Sequence, residues 1–344
     1  MTGSADPAAG ARPRALVAVP PGLRRQFFTA AALDRLRALV EPALLDAHSD
    51  RTELARALRT VRPHILVTSW GTPRIDAGLL ALAPDVGLLA HTGGAVSPYA
   101  GPEVFARGVK VTQAGAAMAR PVAEVALTFT LSLLHRVHRF DHALRSGVAW
   151  EEASRAPERH EIRGCPVGVV GASRTGRAYI ALVRALGAEV TVYDPYIEAG
   201  EAQRLGVRRA PLDEVLRTSR VLALHAPAVP ETRHLLGARE LALLPDGAGL
   251  VNTARSWLVD ESALLAEVRK GRLDAALDVY DAEPLPVGHP LRALPNVLLT
   301  PHQAAATVEG RHALGTSTVD EIARYLAGEP LRHAVGPEAL VRVE

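Results

Sequence analysis

The stretch Val167-Gly-Val-Val-Gly171-Ala-Ser173-Arg-Thr-Gly176 decides the fold of this chain. An apolar run reaches a turn that opens and closes on glycine, and a helical pattern over Thr175–Leu186 follows. The first glycine permits a tight turn, and the last lets the helix sit close against the strand. Unpaired N–H groups and the dipole at such a helix start favour an anion, and this spacing suits the pyrophosphate of a dinucleotide. The middle position, where a third glycine is usual, holds Ser173. Serine adds a small side chain and a hydroxyl, which alters the phosphate contact without closing the turn. The glycines alone also fit an ordinary strand-to-helix turn; the patterns on either side carry the stronger reading.

Asp194 closes the next strand, Glu189–Tyr193. A carboxylate there accepts hydrogen bonds from the ribose hydroxyls of an adenosine and repels a 2′-phosphate. The residues that follow, Pro195-Tyr-Ile-Glu198, bring no arginine to hold such a phosphate. NAD is therefore expected rather than NADP, lined by Gly171, Ser173, Arg174, Thr175, Gly176, Asp194 and Pro195. A plain turn before Pro195 is the other reading of Asp194.

Working outward, strands and helices alternate. Strands are predicted at Val167–Val170, Glu189–Tyr193, Arg220–Leu224, Gly249–Asn252, Leu273–Asp278 and Val297–Thr300, with helical segments between them. Strands joined by crossover helices make a doubly wound parallel sheet. Upstream, strands at Ala15–Val19, His64–Thr68 and Val86–Ala90 alternate with helices at Thr29–Val40, ended by Pro42, Glu53–Arg59 and Asp76–Ala83, which predicts a second parallel sheet. Val122–Leu144 lacks glycine and proline and reads as one long buried helix; Ser146–Arg163 reads as a polar connection. The helical stretch Val308–Ala327 must pack on the first domain, which makes that domain discontinuous.

Three polar residues interrupt apolar segments: Arg255 in Val251-Asn-Thr-Ala-Arg255, Glu283 in Asp278-Val-Tyr-Asp-Ala-Glu283-Pro, and His302 in Leu299-Thr-Pro-His302. Reduction of a 2-keto acid needs a fixed cation for the carboxylate, a proton donor for the developing alkoxide, and a group that orients the donor. Arginine stays charged and binds carboxylates bidentately. Histidine exchanges protons near neutral pH, and a carboxylate can hold it in place. His302 follows a strand end, the edge where open α/β sheets bind ligands.

With these residues in this order, the chain resembles the D-isomer-specific 2-hydroxyacid dehydrogenase family. The resemblance spans nearly the whole length and is strongest from Val167 to Thr307, through Gly171–Gly176, Leu224-His-Ala-Pro227 with Glu231-Thr232, Asn252-Thr-Ala-Arg255 with Val259-Asp260, Asp278–Pro284, and Thr300-Pro-His302 with Thr307. It implies that Arg255, Glu283 and His302 are the catalytic trio. It implies that Ala226, Pro227, Thr232, Thr253, Ala254 and Asp278 line the cofactor, the last three at its nicotinamide end. The loop His91-Thr92-Gly93-Gly94 matches the family's substrate loop, whose backbone N–H groups meet the substrate carboxylate. Family likeness also implies a homodimer that makes contact through the long helix region, and the D-configured product.

The expected fold is α/β with two doubly wound parallel-sheet domains. A Rossmann NAD-binding domain covers 116–302. A discontinuous flavodoxin-like substrate domain covers 15–115 plus 303–344, after a disordered tail at 1–14. The expected function is an NAD-dependent 2-hydroxyacid dehydrogenase acting on a small 2-keto or 2-hydroxy acid. An NAD(H)-binding, corepressor-like regulator on the same scaffold is the competing reading, since fold does not fix function. Some departures fall on the substrate side: Ser256-Trp257 stand where small glycines are frequent, Met118 where asparagine is common, and Val96-Ser-Pro98-Tyr99 where an aspartate is frequent. Trp257 points either into the pocket or into the domain.

Bulk properties narrow the partners. A net charge of +2, with dispersed charges, gives no reason to expect nucleic acid. A single cysteine, Cys165, excludes an intramolecular disulfide and a multi-cysteine metal site. No metal, no membrane span and no secretory signal are expected, hence a cytoplasmic protein.

Overall fold

A computed structural model describes residues 12–46, 50–155 and 157–341. They form two compact units that divide between Met118 and Ala119 and again between Ala306 and Thr307. The expected limits lay a few residues away, at 115/116 and 302/303. Of the expected tail, residues 1–11 lie outside the described residues, and Arg14 already opens the first strand.

The first unit holds strands β1 (Arg14–Val17), β2 (Glu41–Leu44), β3 (Ile65–Thr68), β4 (Leu88–His91) and β5 (Lys110–Gln113). The second holds β6 (Pro166–Val170), β7 (Glu189–Tyr193), β8 (Arg208–Arg209), β9 (Val221–Leu224), β10 (Gly249–Asn252), β11 (Asp274–Leu277) and β12 (Val297–Leu299). The chain then returns to the first unit with helix Val308–Leu326 and β13 (Ala334–Val335). The sheet orders are β13-β5-β4-β3-β1-β2 and β12-β11-β10-β9-β6-β7-β8.

The α/β architecture is the one the alternation predicts, with additions. β13 runs antiparallel to β5 on the edge of the first sheet. β8 is two exposed arginines, so no apolar run announces it. β2 contains Pro42, which reads as a helix terminator; it pairs only with β1, and a sheet edge is where a missing N–H costs no ladder bond. β5 and helices Pro21–Phe27 and Pro102–Ala106 are further elements, and Trp150–Ala153 is a helical turn inside the expected polar connection.

The long helix is not continuous. It divides into Ala119–Leu134 and Val137–Arg145, with Arg136 left-handed at φ 56°. The break has a tertiary cause. Arg136 donates to Asp274 (2.6 Å) and to the Gly247 carbonyl (2.9 Å), His138 Nε2 lies 3.1 Å from the same carboxylate, and Arg139 donates to both its oxygens. Arg136, His138 and Asp274 are buried. No local signal marks the break because its cause lies on a strand far along the chain. Against the expectation of no membrane-length segment, Gly115–Leu134 is long and apolar enough to cross a membrane by length and composition. Its apolar residues Ala123, Ala126, Phe129 and Leu133 pack in the second unit's core with Val167, Val169, Tyr179 and Val183.

Burial pushes the Asp274 carboxyl up, but the bonds from His138 and Arg139 and the charges of Arg136 and Arg139 outweigh it and hold the group at about 2. A folded value below the unfolded one stabilises the fold above about pH 4, and that contribution is lost as pH falls through about 2. Removing one partner of a buried charge cluster costs roughly 3–5 kcal/mol. Asp274→Asn is therefore expected to lower Tm by roughly 6–20 °C at neutral pH. In scanning calorimetry the gap from the parent should narrow between about pH 4 and pH 2; a gap independent of pH would overturn the assignment.

Candidate active site

The glycine turn follows β6. Gly171 sits at φ +94°, and a β-carbon there would fall 2.5 Å from the Ala226 nitrogen; one on Gly176 would fall 2.2 Å from the Gly171 carbonyl oxygen. Neither position has room for a side chain, because backbone lies against both. Ser173 is the N-cap of helix Arg174–Ala185, and its hydroxyl accepts from Gly176 N at 3.2 Å. The serine therefore caps the helix and satisfies one of its free amides. Among the described residues the amides of Ser173, Arg174 and Thr175 have no acceptor, which leaves them for an anion.

Asp194 combines both of its sequence readings. Its carboxylate accepts from Ala172 N (2.7 Å) inside the glycine turn and from Tyr196 N (2.8 Å) in the turn after β7. Pro195 is exposed beside it. His225, after β9, is buried against the turn with its ring tilted on Tyr179 at 4.9 Å and no partner for either nitrogen. Burial holds it down at about 3, so the ring is neutral. The Thr232 hydroxyl donates within its own loop, toward Pro227 O (2.7 Å) and Val229 O (3.0 Å), and accepts from Val229 N. Trp257 resolves toward the same loop: its indole donates to Val229 O at 2.9 Å, and the Arg233 guanidinium lies over its ring.

β10, β11 and β12 are neighbours, and their carboxyl ends deliver the remaining candidates. Asn252 braces the turn after β10, donating to Arg255 O (2.8 Å) and accepting from Ala254 N (3.1 Å). Arg255 is half-buried; its guanidinium donates to Ala254 O at 2.8 Å and has no carboxylate partner among the described residues. Thr253 carries a buried hydroxyl with no partner. After β11, the buried Asp278 carboxylate accepts from Thr300 Oγ1 (2.5 Å), Gln303 N (2.9 Å) and Ala304 N (2.9 Å). It clamps the loop that carries His302, itself left-handed at φ 54°. His302 Nδ1 meets Glu283 Oε2 at 2.7 Å, and Glu283 Oε1 accepts from Tyr280 N at 3.0 Å. The carboxylate is thus held from behind while it orients the imidazole through Nδ1, and Nε2 takes no part in that pair.

Asn252 and Tyr280 were not singled out in the sequence. Each lies three residues before a candidate, at the spacing of a turn-closing bond, and that spacing was the available signal. The Tyr280 hydroxyl reaches the carbonyls of Leu277 (2.9 Å) and Thr300 (2.7 Å), and burial pushes it up to about 12.

In the first unit, Thr92 is buried and its hydroxyl meets Thr318 Oγ1 at 3.1 Å. The amides of Gly93 and Gly94 have no acceptor among the described residues. His91 is buried, stacked on Tyr99 at 4.5 Å, with Nδ1 3.0 Å from Thr68 Oγ1. Its Nε2 has no partner and lies where a side chain on Gly93 would go.

The second unit's residues fit a dinucleotide: a backbone cradle that any β-carbon would fill, three free amides at a helix start, and an orphaned hydroxyl at Thr253. Among the described residues no cluster of three or more His, Cys, Asp or Glu is placed to hold a metal. Cys165 is buried, which pushes its thiol up to about 11.

Comparison with known proteins agrees. Residues 127–304 match the family model for the NAD binding domain of D-isomer specific 2-hydroxyacid dehydrogenases. The chain is 36% identical over 287 residues to D-3-phosphoglycerate dehydrogenase of Mycobacterium leprae, covering 83% of this chain and 53% of that protein. It is 32% identical over 274 residues to glyoxylate reductase of Aeropyrum pernix, covering 78% and 82%. The apo structure of Rhodotorula graminis D-mandelate dehydrogenase shares the fold, with a TM-score of 0.83 at 24% identity over 94% of this chain and 98% of that one. This chain belongs to the D-isomer specific 2-hydroxyacid dehydrogenase family and carries its NAD-binding domain. It spans about half the length of the phosphoglycerate dehydrogenases it matches.

Gly176→Ala is expected to weaken NADH binding at least tenfold, measured by fluorescence titration, because the added carbon must push the helix start off the Gly171 carbonyl. Unchanged affinity in a folded variant would show that the turn does not hold the pyrophosphate.

Proposed function

We propose that this chain is an NAD-dependent oxidoreductase that interconverts a small 2-keto acid and its D-2-hydroxy acid, working chiefly in the reducing direction. The observation that carries the proposal is the His302–Glu283 pair at 2.7 Å on the strand end clamped by Asp278, two strands from an arginine with no ion-pair partner among the described residues. NAD supplies or takes up the hydride at C2 when bound. His302 Nε2 exchanges the proton with the C2 oxygen, and Glu283 fixes the ring through Nδ1. Arg255 grips the carboxylate and polarises the carbonyl. In the first unit, the Gly93–Gly94 loop offers two free amides to a carboxylate. Thr92 supports that loop from within its own unit.

The cofactor is held by the Ser173–Thr175 amides over the Gly171–Gly176 turn, by Asp194 at the ribose, and by the backbone around Ala226, Pro227, Thr253 and Ala254. Asp278 and Thr232 act as positioning residues, since their polar atoms are engaged with the loops they hold. The preference for NAD rests on Asp194, whose charge opposes a 2′-phosphate.

NADH oxidation with glyoxylate, hydroxypyruvate, phenylpyruvate and 2-ketoisovalerate tests the reading. Turnover is expected with at least one. His302→Ala should lower kcat by about 10²–10⁴-fold, the usual worth of a general acid, with NADH affinity changed less than about twofold. Tight NADH binding without turnover of any acid would favour a regulator instead.

Assembly as a homodimer belongs to the same proposal. Val137 and Leu144, on the helix after the Arg136 break, and Trp150 on the next are large apolar side chains left 54%, 48% and 72% exposed. Trp150→Asp is expected to shift the species seen by light scattering from dimer to monomer; a wild-type monomer would overturn this part.

A further inference from the structure

Trp257 stands two residues past Arg255, where glycine is frequent in the family, and its side chain is engaged rather than idle. The turn after β10 is braced first from the strand. The buried Asn252 amide donates to Arg255 O (2.8 Å), and its oxygen accepts from Ala254 N (3.1 Å). A short helical turn, Ser256–Leu258, then opens at Arg255. Beside it runs the segment that leaves β9, residues 225–236. The start of that segment is packed on the glycine turn: a β-carbon on Gly171 would fall 2.5 Å from Ala226 N and 2.6 Å from Ala226 Cα.

Two kinds of bond join the turn to the segment. Backbone bonds run from His234 N to Trp257 O (2.8 Å), from Leu236 N to Leu258 O (3.0 Å) and from Asp260 N to Leu236 O (3.0 Å). A glycine at 257 would keep all of them. The indole adds what glycine lacks. Its N–H donates to Val229 O at 2.9 Å, reaching past His234 to the part of the segment that follows Pro227. The Arg233 guanidinium lies 5.2 Å from the centre of its ring, a cation on an aromatic face. The Thr232 hydroxyl, by contrast, bonds only within its own loop, toward Pro227 and Val229. It shapes that loop without tying it to the Arg255 turn.

Arg255 therefore has a brace on each side, Asn252 toward the strand and Trp257 toward the segment after β9. All of these residues belong to the second unit. The Arg255 guanidinium donates to Ala254 O within the same turn, so its place follows the backbone that carries it. A group that grips a reacting molecule from a loop is only as well placed as the neighbours that hold the loop.

We propose that Trp257 is a positioning residue for Arg255: it fixes the turn that grips the carboxylate against the segment that lines the cofactor. The inference rests on the dehydrogenase reading above. It adds a residue that family likeness does not supply, because a glycine offers neither the bond nor the ring.

Two variants test it. Trp257→Phe keeps a ring beside Arg233 and removes the N–H; Trp257→Gly removes both. With the 2-keto acid that the parent reduces best, KM should rise about threefold in the first and about tenfold in the second. In both, kcat should stay within about threefold of the parent, since a loosened guanidinium loses its hold on the carboxylate in ground state and transition state alike. Oxamate, which presents the same carboxylate without being reduced, should lose affinity for the NADH-loaded protein in the same order. The dissociation constant of NADH, followed by its own emission, should change less than about twofold, because the phosphate cradle is untouched. Unchanged KM and oxamate affinity in a folded Trp257→Gly protein would overturn the inference and leave the dehydrogenase reading intact. If Tm shows that the glycine variant does not fold, Trp257→Phe decides alone, and a parental KM there overturns it. A loss of NADH affinity as large as the rise in KM would also overturn it, for Trp257 would then serve the cofactor segment alone. A parent protein that reduces no 2-keto acid would sink the dehydrogenase reading and this inference with it.

Discussion

Asp278 is the group on which the candidate chemistry depends. It is buried at the end of β11, and its two oxygens accept from a hydroxyl and two amides of the segment 300–304. A buried carboxylate is costly unless its lone pairs are satisfied. Here they are satisfied only when the loop after β12 folds back over it. That fold gives His302 its left-handed backbone and brings its ring to Glu283. The imidazole is therefore placed by backbone bonds to a buried charge, which is stiffer than a side chain held by surface contacts alone.

Neutrality matters as much as charge. His225 and His91 sit behind the two glycine-rich loops, each excluded from water and each neutral. The rings fill the space under the glycines of each loop, so the backbone there can approach a ligand. A protonated ring in either place would carry a buried charge without a partner. His302, by contrast, is half-exposed and bonded to a carboxylate, and it is the imidazole proposed to move a proton.

Much of this was legible in the sequence, for reasons that differ by residue. The second unit's strands are short apolar runs bounded by turns, and each candidate follows directly after one. Position after a strand and side-chain chemistry drew attention to Arg255, Glu283 and His302, the family resemblance joined them, and the structure brings two of them, His302 and Glu283, into contact. What escaped was held by distant partners. The helix break at Arg136 answers to Asp274 and Gly247, which no local pattern reveals. β2 hides behind Pro42, and β8 is two exposed arginines. Ser173 looked like a flawed phosphate contact; its hydroxyl is spent on Gly176, so the substitution exchanges a glycine for a helix cap.

β11 shows why the polar ends count for so much. Its four residues, Asp-Ala-Ala-Leu, are all buried. A strand covered on both faces has no apolar–polar alternation to fix its register. Sliding it by one residue would still bury alanines and a leucine. It would also pull Asp274 away from Arg136, His138 and Arg139 at one end, and Asp278 away from Thr300, Gln303 and Ala304 at the other. Two buried carboxylates with directional partners thus pin the strand from both sides, and the interior between them can stay small and featureless. Glu283 hangs five residues beyond the second pin, and His302 is held by that pin itself. The same buried carboxylates that look like a burden on stability are what place His302 and Glu283 within one hydrogen bond of each other.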